Sequence, residues 1–317
     1  MWMYIGIVCG GLVLLWLLFE LKRGRSDGTL LKTIHPYRRM LPFIMPGRNE
    51  SIVFYDDFVK AQAFLDYIRK CREKFHVDIM HLLVNAVTHG LRQVPQMNQF
   101  VAGQRLYRRN HVAVTFSMKR KKLDKAAKLA AVKLRIKDDE AFQQICKRIN
   151  QRIGVERSGA KTYTDKELSL FFKLPRFMLR WALGAVRWAN YHNVVPKSFI
   201  EGDGFFTSAF IANLGSVGMR AAFHHLYEYG TCPLFMMVGR IEDRPTVVDG
   251  KVVPVKTLHV RWSYDERIDD GLTSRFGMDA VKDALENPEK IFGRIEDFTK
   301  DTTASEEAVS EVSLIEG

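Results

Sequence analysis

The sequence predicts an α/β domain held behind a single membrane-crossing helix, and three observations carry that prediction. Trp2 to Phe19 is apolar throughout, about the length that crosses a hydrocarbon core. Beyond it, short β-branched and aromatic runs alternate with longer stretches of helical period. With 317 residues and 47% hydrophobic content the chain buries one substantial core, so one main domain with appendages is expected.

Trp2, Tyr4 and Trp16 suit the ends of a membrane span, and Lys22, Arg23 and Arg25 follow the apolar run while none precedes it. That order argues against a cleaved signal peptide. By the positive-inside rule it leaves the domain in the cytoplasm, as a single-pass protein of the inner or plasma membrane. Residues 1–21 are therefore read as the anchor, 22–31 as a linker, 32–295 as the domain and 296–317 as an acidic, Ser/Thr-rich tail without structure of its own.

Within the domain, Ile52 to Phe58 alternates as a strand, and Val59 to Phe75 has a helical period with Phe64, Leu65, Ile68 and Cys71 inward. Ile79 to Leu91 reads as a second helix, on which His81 and His89 are packing or surface residues. Arg105 to Arg108 and His111 to Ser117 read as a hairpin or paired strands joined at Arg109-Asn110. Lys119 to Lys122 is a basic loop, Ala130 to Ile136 a strand and Asp138 to Ile153 an amphipathic helix.

Residues from about 155 to 200 form an insertion. Its helix, Arg176 to Tyr191, starts after Pro175 as a first-turn proline allows. The stretch from Leu168 to Trp188 interleaves aromatics with Lys173, Arg176, Arg180 and Arg187, so it either caps the core or lies on a membrane. The anchor favours the second reading, with Phe171, Phe172, Trp181 and Trp188 against lipid. Strands follow at Phe205 to Leu214, Cys232 to Ile241, Lys251 to Val255 and Thr257 to Trp262. Met219 to Tyr229 reads as a helix carrying His224 and His225, and Thr273 to Leu285 as another.

The most informative stretch is Ser263 to Gly271, Ser-Tyr-Asp-Glu-Arg-Ile-Asp-Asp-Gly, directly after a β run. Charges packed against a turn-forming glycine mark a site at a strand end, although Asp-Asp-Gly is also an ordinary turn. Taken with Ala209-Phe-Ile-Ala-Asn-Leu-Gly215, Val238-Gly-Arg-Ile241 and the run Pro245 to Val253, its order and spacing resemble the catalytic domain of the acyltransferase component of 2-oxo acid dehydrogenase complexes. Chloramphenicol acetyltransferase is a more distant likeness.

This resemblance implies a two-layer sandwich with a mixed sheet flanked by helices, a homotrimer with its sites between subunits, and acyl transfer from a coenzyme A thioester as co-substrate. The family signature is Asp-His-Arg-x-x-Asp-Gly, whose His is the base. Asp265, Arg267, Asp270 and Gly271 match it, and Glu266 stands at the His position. Where the family has a Phe-Thr-x-Ser strand with an oxyanion-stabilising hydroxyl, this chain has Phe210 and Ala212. The resemblance places Ser208, Phe210, Asn213, Gly215, Ser263, Arg267 and Gly271 on the substrate side. It also makes Arg39 the expected partner of Asp270. No lipoyl segment with a modifiable lysine precedes the domain, so an acceptor other than dihydrolipoamide is expected.

Acyl transfer needs a base near the acceptor and a donor for the oxyanion. Glu266 serves as the base if burial raises its carboxyl, and otherwise forms an ion pair with Arg267 or another arginine. His224 or His225 is the other candidate base, or a packing residue. If none serves, the chain is a membrane-associated scaffold or ligand-binding module.

The formal charge of +12 is not accompanied by zinc spacing, an aromatic RNA-binding signature or a helix-turn-helix, so a nucleic-acid partner is not expected. Membrane lipid or an anionic acyl-thioester donor fits the charge better. Cys9, Cys71, Cys146 and Cys232 are widely spaced, forming neither a metal pair nor a disulfide framework.

Overall fold

A computed structural model describes residues 1–120, 129–158 and 174–300. Phe171, Phe172, the tail beyond residue 300 and most of the basic loop after Lys119 lie outside the described residues. The chain begins with α1 (Trp2–Leu21), exposed through Leu18. In order follow β1 (Gly28–Leu30), α2 (Pro36–Ile44), β2 (Ile52–Lys60), α3 (Gln62–Cys71), α4 (Ile79–Gln93), β3 (Gln99–Ala102), β4 (Arg105–Arg109), β5 (Val112–Lys119), β6 (Leu129–Ile136) and α5 (Phe142–Arg157). The second half runs α6 (Arg176–Tyr191), α7 (Lys197–Gly202), β7 (Ala209–Asn213), β8 (Leu234–Val248), β9 (Lys251–Asp265), α8 (Gly271–Glu286) and α9 (Pro288–Phe292).

The main sheet has the order β2-β9-β8-β7-β5-β6 and is mixed: β5, β7 and β8 pair in parallel while the outer pairs are antiparallel. Period-two alternation divides its side chains between two faces. Ala209 and Ile211 join the large core beneath α3, α4, α5 and α8, whereas Phe210 joins Leu226, Cys232, Phe235 and Met237 in a separate cluster. This is the α/β two-layer sandwich expected. The long β8–β9 hairpin is turned by Asp249-Gly250, both at positive φ (50° and 75°), as a two-residue turn between twisted strands requires. Helices α4 and α8 touch backbone to backbone, because a Cβ on Gly90 would stand 2.9 Å from the carbonyl of Gly277.

Three local expectations are corrected. Met219 to Tyr229 is irregular, not helical: its carbonyls are claimed by the sheet, with Arg261 Nη1 donating to Ala221 and Ser263 Oγ to His224. Arg105 to Arg109 and Val112 to Lys119 are not a hairpin. β4 belongs to a small sheet, β1-β4-β3, and only β5 enters the main one. The strand Gln99–Ala102 of that sheet had no recognisable sequence signal of its own.

The supposed linker at 22–31 is built into the domain. Asp27 is paired with both Arg25 (2.9 Å) and Arg109 (3.2 Å), with all three side chains at most 2% exposed. Arg25 also reaches Asn190 and Asn193, and Tyr107 donates its hydroxyl to the carbonyl of Arg23. Burial raises the Asp27 carboxyl, but the charges of Arg25 and Arg109 outweigh it and hold the group below its ordinary value. Burial presses Arg109 down to about 10.

Candidate functional site

The turn between β9 and α8 is a rigid frame with one open position. Asp265 is fully buried and receives Arg267 as a fork, Nε to Oδ1 and Nη2 to Oδ2, each at 2.8 Å. Ser51 Oγ donates to the same carboxylate at 2.9 Å, and Arg267 Nη1 donates to the carbonyls of Met45 and Pro46 at 2.8 and 2.9 Å. Glu266 lies between the pair. Its backbone N–H donates to Ser51, and its side chain is exposed. Arg267 is thus the partner of Asp265 and not of Glu266. Burial around Glu266 is not supplied by this chain's described residues.

The expected Arg39–Asp270 pair is replaced by its neighbours. Arg38 Nη1 lies 3.4 Å from Asp269, and Arg38 also donates to the carbonyl of Ile268. Arg39 is exposed. Asp270 caps α8, accepting the backbone N–H of Thr273 at 2.9 Å, and that bond holds its carboxyl below the ordinary value. Its task is to start the helix; Gly271 is the first helical residue.

On β7 and its approach, the hydroxyls are engaged. Thr207 Oγ1 donates to Ala113 O at 2.8 Å and Ser208 Oγ accepts from Ala113 N–H at 3.0 Å. Phe210 stacks on Phe235 at 4.9 Å on the sheet face opposite the helices. Ser263, on the same face, donates to the carbonyl of His224 at 2.5 Å. His224 stacks on Phe235 at 4.1 Å, and burial lowers its basicity. Its Nδ1 lies 2.6 Å from His225 O; donation there leaves Nε2 of the neutral ring with a lone pair. His225 Nδ1 reaches Leu226 O.

Asn213 and Gly215 stand at the far end of β7. Asn213 Oδ1 accepts the N–H of Ser216, and Gly215 is required because a Cβ there would meet Gly239 O at 2.4 Å. Asn213 is level with Val238 and Val260, whereas the turn begins beyond Tyr264, level with Leu234. At least four residues, roughly 13 Å of strand, separate these two groups. The fold therefore gathers Phe210, Ser263 and His224, and keeps Asn213 and Gly215 away from Glu266.

A cleft of about 480 Å³ opens beside the turn, between α6 and the β3–β4 connection, with Arg48, Arg187, Arg267 and Glu228 on its walls. Sequence reasoning did not find it, because it depends on the insertion folding back. The Glu228 carboxylate is occupied by the backbone N–H groups of Arg48 and Asn49. Among the described residues, no three His, Cys, Asp or Glu side chains converge as metal ligands.

Sheet order and helical layer together define a two-layer α/β sandwich with a mixed sheet. Residues 202–293 match the family of 2-oxoacid dehydrogenases acyltransferase (catalytic domain). A 50-residue stretch is 44% identical to the dihydrolipoyllysine-residue succinyltransferase component of the 2-oxoglutarate dehydrogenase complex of Cupriavidus necator, covering 16% of this chain and 12% of that protein. The chain thus spans about an eighth of the length of that curated relative. In three dimensions it is similar to the probable dihydrolipoamide acetyltransferase of Listeria monocytogenes, with a TM-score of 0.53 at 17% identity over 83% of this chain and 95% of the other. The dihydrolipoamide acetyltransferase of Azotobacter vinelandii gives 0.52 at 18% identity over 82% and 94%. These structural likenesses establish the fold.

Proposed function

We propose that the chain is a membrane-anchored acyltransferase that takes an acyl group from a coenzyme A thioester and passes it to an acceptor other than dihydrolipoamide, with Glu266 as the base. The observation that carries this is the frame around Glu266. A fully buried Asp265–Arg267 fork holds the turn in one shape and presents a single free carboxylate at its tip. Such preorganisation is what a positioned base requires.

The distance between that carboxylate and the Asn213–Gly215 end of β7 supports a site closed between copies of the chain. Exposed Leu272 and Phe276 on α8, with Tyr37, Met40 and Phe43 on α2, supply apolar surface for such contact. A homotrimer, as the resemblance implies, would close the site around Glu266 with a neighbouring copy. Arg48 and Arg187 on the cleft wall fit an anionic thioester donor. Helix α1, 20 residues long, apolar from Trp2 to Phe19 and with none of its residues buried, is read as the single-pass anchor, with the domain in the cytoplasm and a lipid-borne acceptor in reach.

One observation favours a second reading, a degenerate homologue serving as a membrane scaffold or ligand-binding module. Ala212 replaces the family hydroxyl, and the nearby hydroxyls of Thr207 and Ser208 are engaged by Ala113. Incubation of the purified full-length protein with acetyl, succinyl and longer acyl-CoA, with thiol and alcohol acceptors, separates the two. Release of free CoA that depends on acceptor and falls about a hundredfold in Glu266→Gln supports the enzyme. No turnover by wild type with any pair leaves the scaffold.

A further inference from the structure

Helix α6 lies outside the family match and presents two distinct faces. Leu179, Ala182, Leu183, Val186, Ala189 and Asn190 are half-buried and turn toward the domain. Phe177, Trp181 and Trp188 recur at helical spacing on the opposite face, 65%, 77% and 48% exposed, with small Gly184 and Ala185 between them. Arg176, Arg180 and Arg187 form a row along one edge of that aromatic stripe, and the helix contains no acidic residue. Aromatics flanked by arginines on a face that the described domain does not cover have the composition of a helix seated among lipid headgroups.

The position of α6 is the second, independent observation. Its C-terminal end is joined to the foot of α1. Phe19 meets Trp188 edge to face at 4.9 Å and His192 at 6.1 Å, while Arg25 Nη1 donates to the Asn190 side chain at 3.0 Å. Asn193 Nδ2 donates to the carbonyl of Lys22, and Arg105 to that of Glu20. The stripe therefore begins where the transmembrane helix would leave the bilayer, and a half-buried polar network rather than a flexible tether connects the two.

We propose that α6 is a second membrane contact, lying in the headgroup layer of an anionic leaflet and, with α1, mounting the domain in one fixed orientation. This rests on the reading of α1 as the anchor. The aromatic stripe contributes apolar burial and the arginine row contributes attraction to phosphate, each arginine strengthening the seated state roughly fivefold at an anionic surface. Because Val186, Arg187, Asn190 and Tyr191 also line the cleft, the mount brings the cleft mouth to the membrane surface.

The test uses the full chain in phosphatidylcholine vesicles with or without phosphatidylglycerol, with brominated lipids as quenchers. A fluorophore on native Cys9, exposed on α1, reports the anchor; one on Ala185→Cys in a Cys9→Ala background reports α6, the remaining cysteines being buried. Quenching at both positions, strengthened by phosphatidylglycerol at 185 and lost there in R176Q/R180Q/R187Q while Cys9 stays quenched, is the expected result. Quenching at Cys9 with a label at 185 that stays in water, or is covered by protein out of reach of lipid quencher, overturns the mount and leaves the anchor intact. No quenching at either position removes the anchor and the mount with it.

Discussion

The Asp265–Arg267 fork and the Asp27–Arg25–Arg109 cluster are both carboxylate–guanidinium assemblies with side chains at most 2% exposed, yet the first closes within two residues and the second bridges 82. A local pair dictates the shape of a turn. A distant one dictates which parts of the chain meet, here the foot of α1 and the small sheet. Both assemblies keep neutral acceptors, Met45 and Pro46 for Arg267, Asn190 and Asn193 for Arg25, and Thr231 for Arg109; they differ in that Asp265 forks one buried arginine whereas Asp27 is the sole anionic partner of two among the described residues.

The largest effect should therefore come from Asp27→Ala, which leaves two buried arginines without a carboxylate. Removing one member of a buried pair costs about 3–5 kcal/mol, and this change should sit at or above the top of that range, dropping Tm by roughly 10 °C or more in thermal unfolding followed by circular dichroism. Acid should mimic it. Because the folded-state carboxyl of Asp27 is depressed, its contribution is complete above the ordinary value of 3.8 and is lost as pH falls through the folded value below that. Asp27→Asn should flatten this part of the acid limb. An unchanged limb would mean that the cluster adds nothing net.

Asp265→Ala should cost less, about 3 kcal/mol, because it deprives one arginine of its carboxylate and not two. Equal losses for the two variants would erase the distinction between local and distant pairs. Glu266→Gln should separate frame from tip: no change in Tm, with about a hundredfold lower acyl transfer, equivalent to about 2.7 kcal/mol in the barrier. His224→Ala retaining most activity is the accompanying expectation; abolition of activity by His224→Ala alone would move the base to the Phe235 side of the sheet. The smallest effect belongs to Asp270→Ala, the loss of an N-cap, about 1 kcal/mol and a few degrees in Tm. A much larger drop would point to a buried partner for Asp270.

What was legible in the sequence was what repeats locally. Arg176 to Tyr191 carries its helical period in plain view, and the helix has those ends, with Pro175 as its N-cap and not in its first turn. The strands Cys232 to Ile241, Lys251 to Val255 and Thr257 to Trp262 were legible as apolar and β-branched runs, whereas the outer arm of β8, which runs on to Val248, was not. The segment Met219 to Tyr229 misled because its residues have an apolar helical period, whereas its fate is decided by Arg261 and Ser263, some forty residues away. The ion pair near the turn was displaced by one residue on each side, Arg38 with Asp269, because a motif fixes a neighbourhood and packing chooses the partner. The Asp27 cluster was illegible for the same reason that it is strong: Arg25 and Asp27 meet Arg109 from a separate part of the chain, and the asparagines that Arg25 reaches come from a third.

That separation has a consequence for synthesis. Arg25 and Asp27 are made well before Asn193, whose side-chain oxygen Oδ1 accepts from Arg25 at 3.2 Å and which follows Arg25 by 168 residues. At roughly 5–20 residues per second, on the order of ten to thirty seconds pass before the partner exists. Through that interval the nascent chain has its first helix complete while the collar beneath it is unfinished, and the domain takes its bearing on that helix only when the insertion emerges to close the ring.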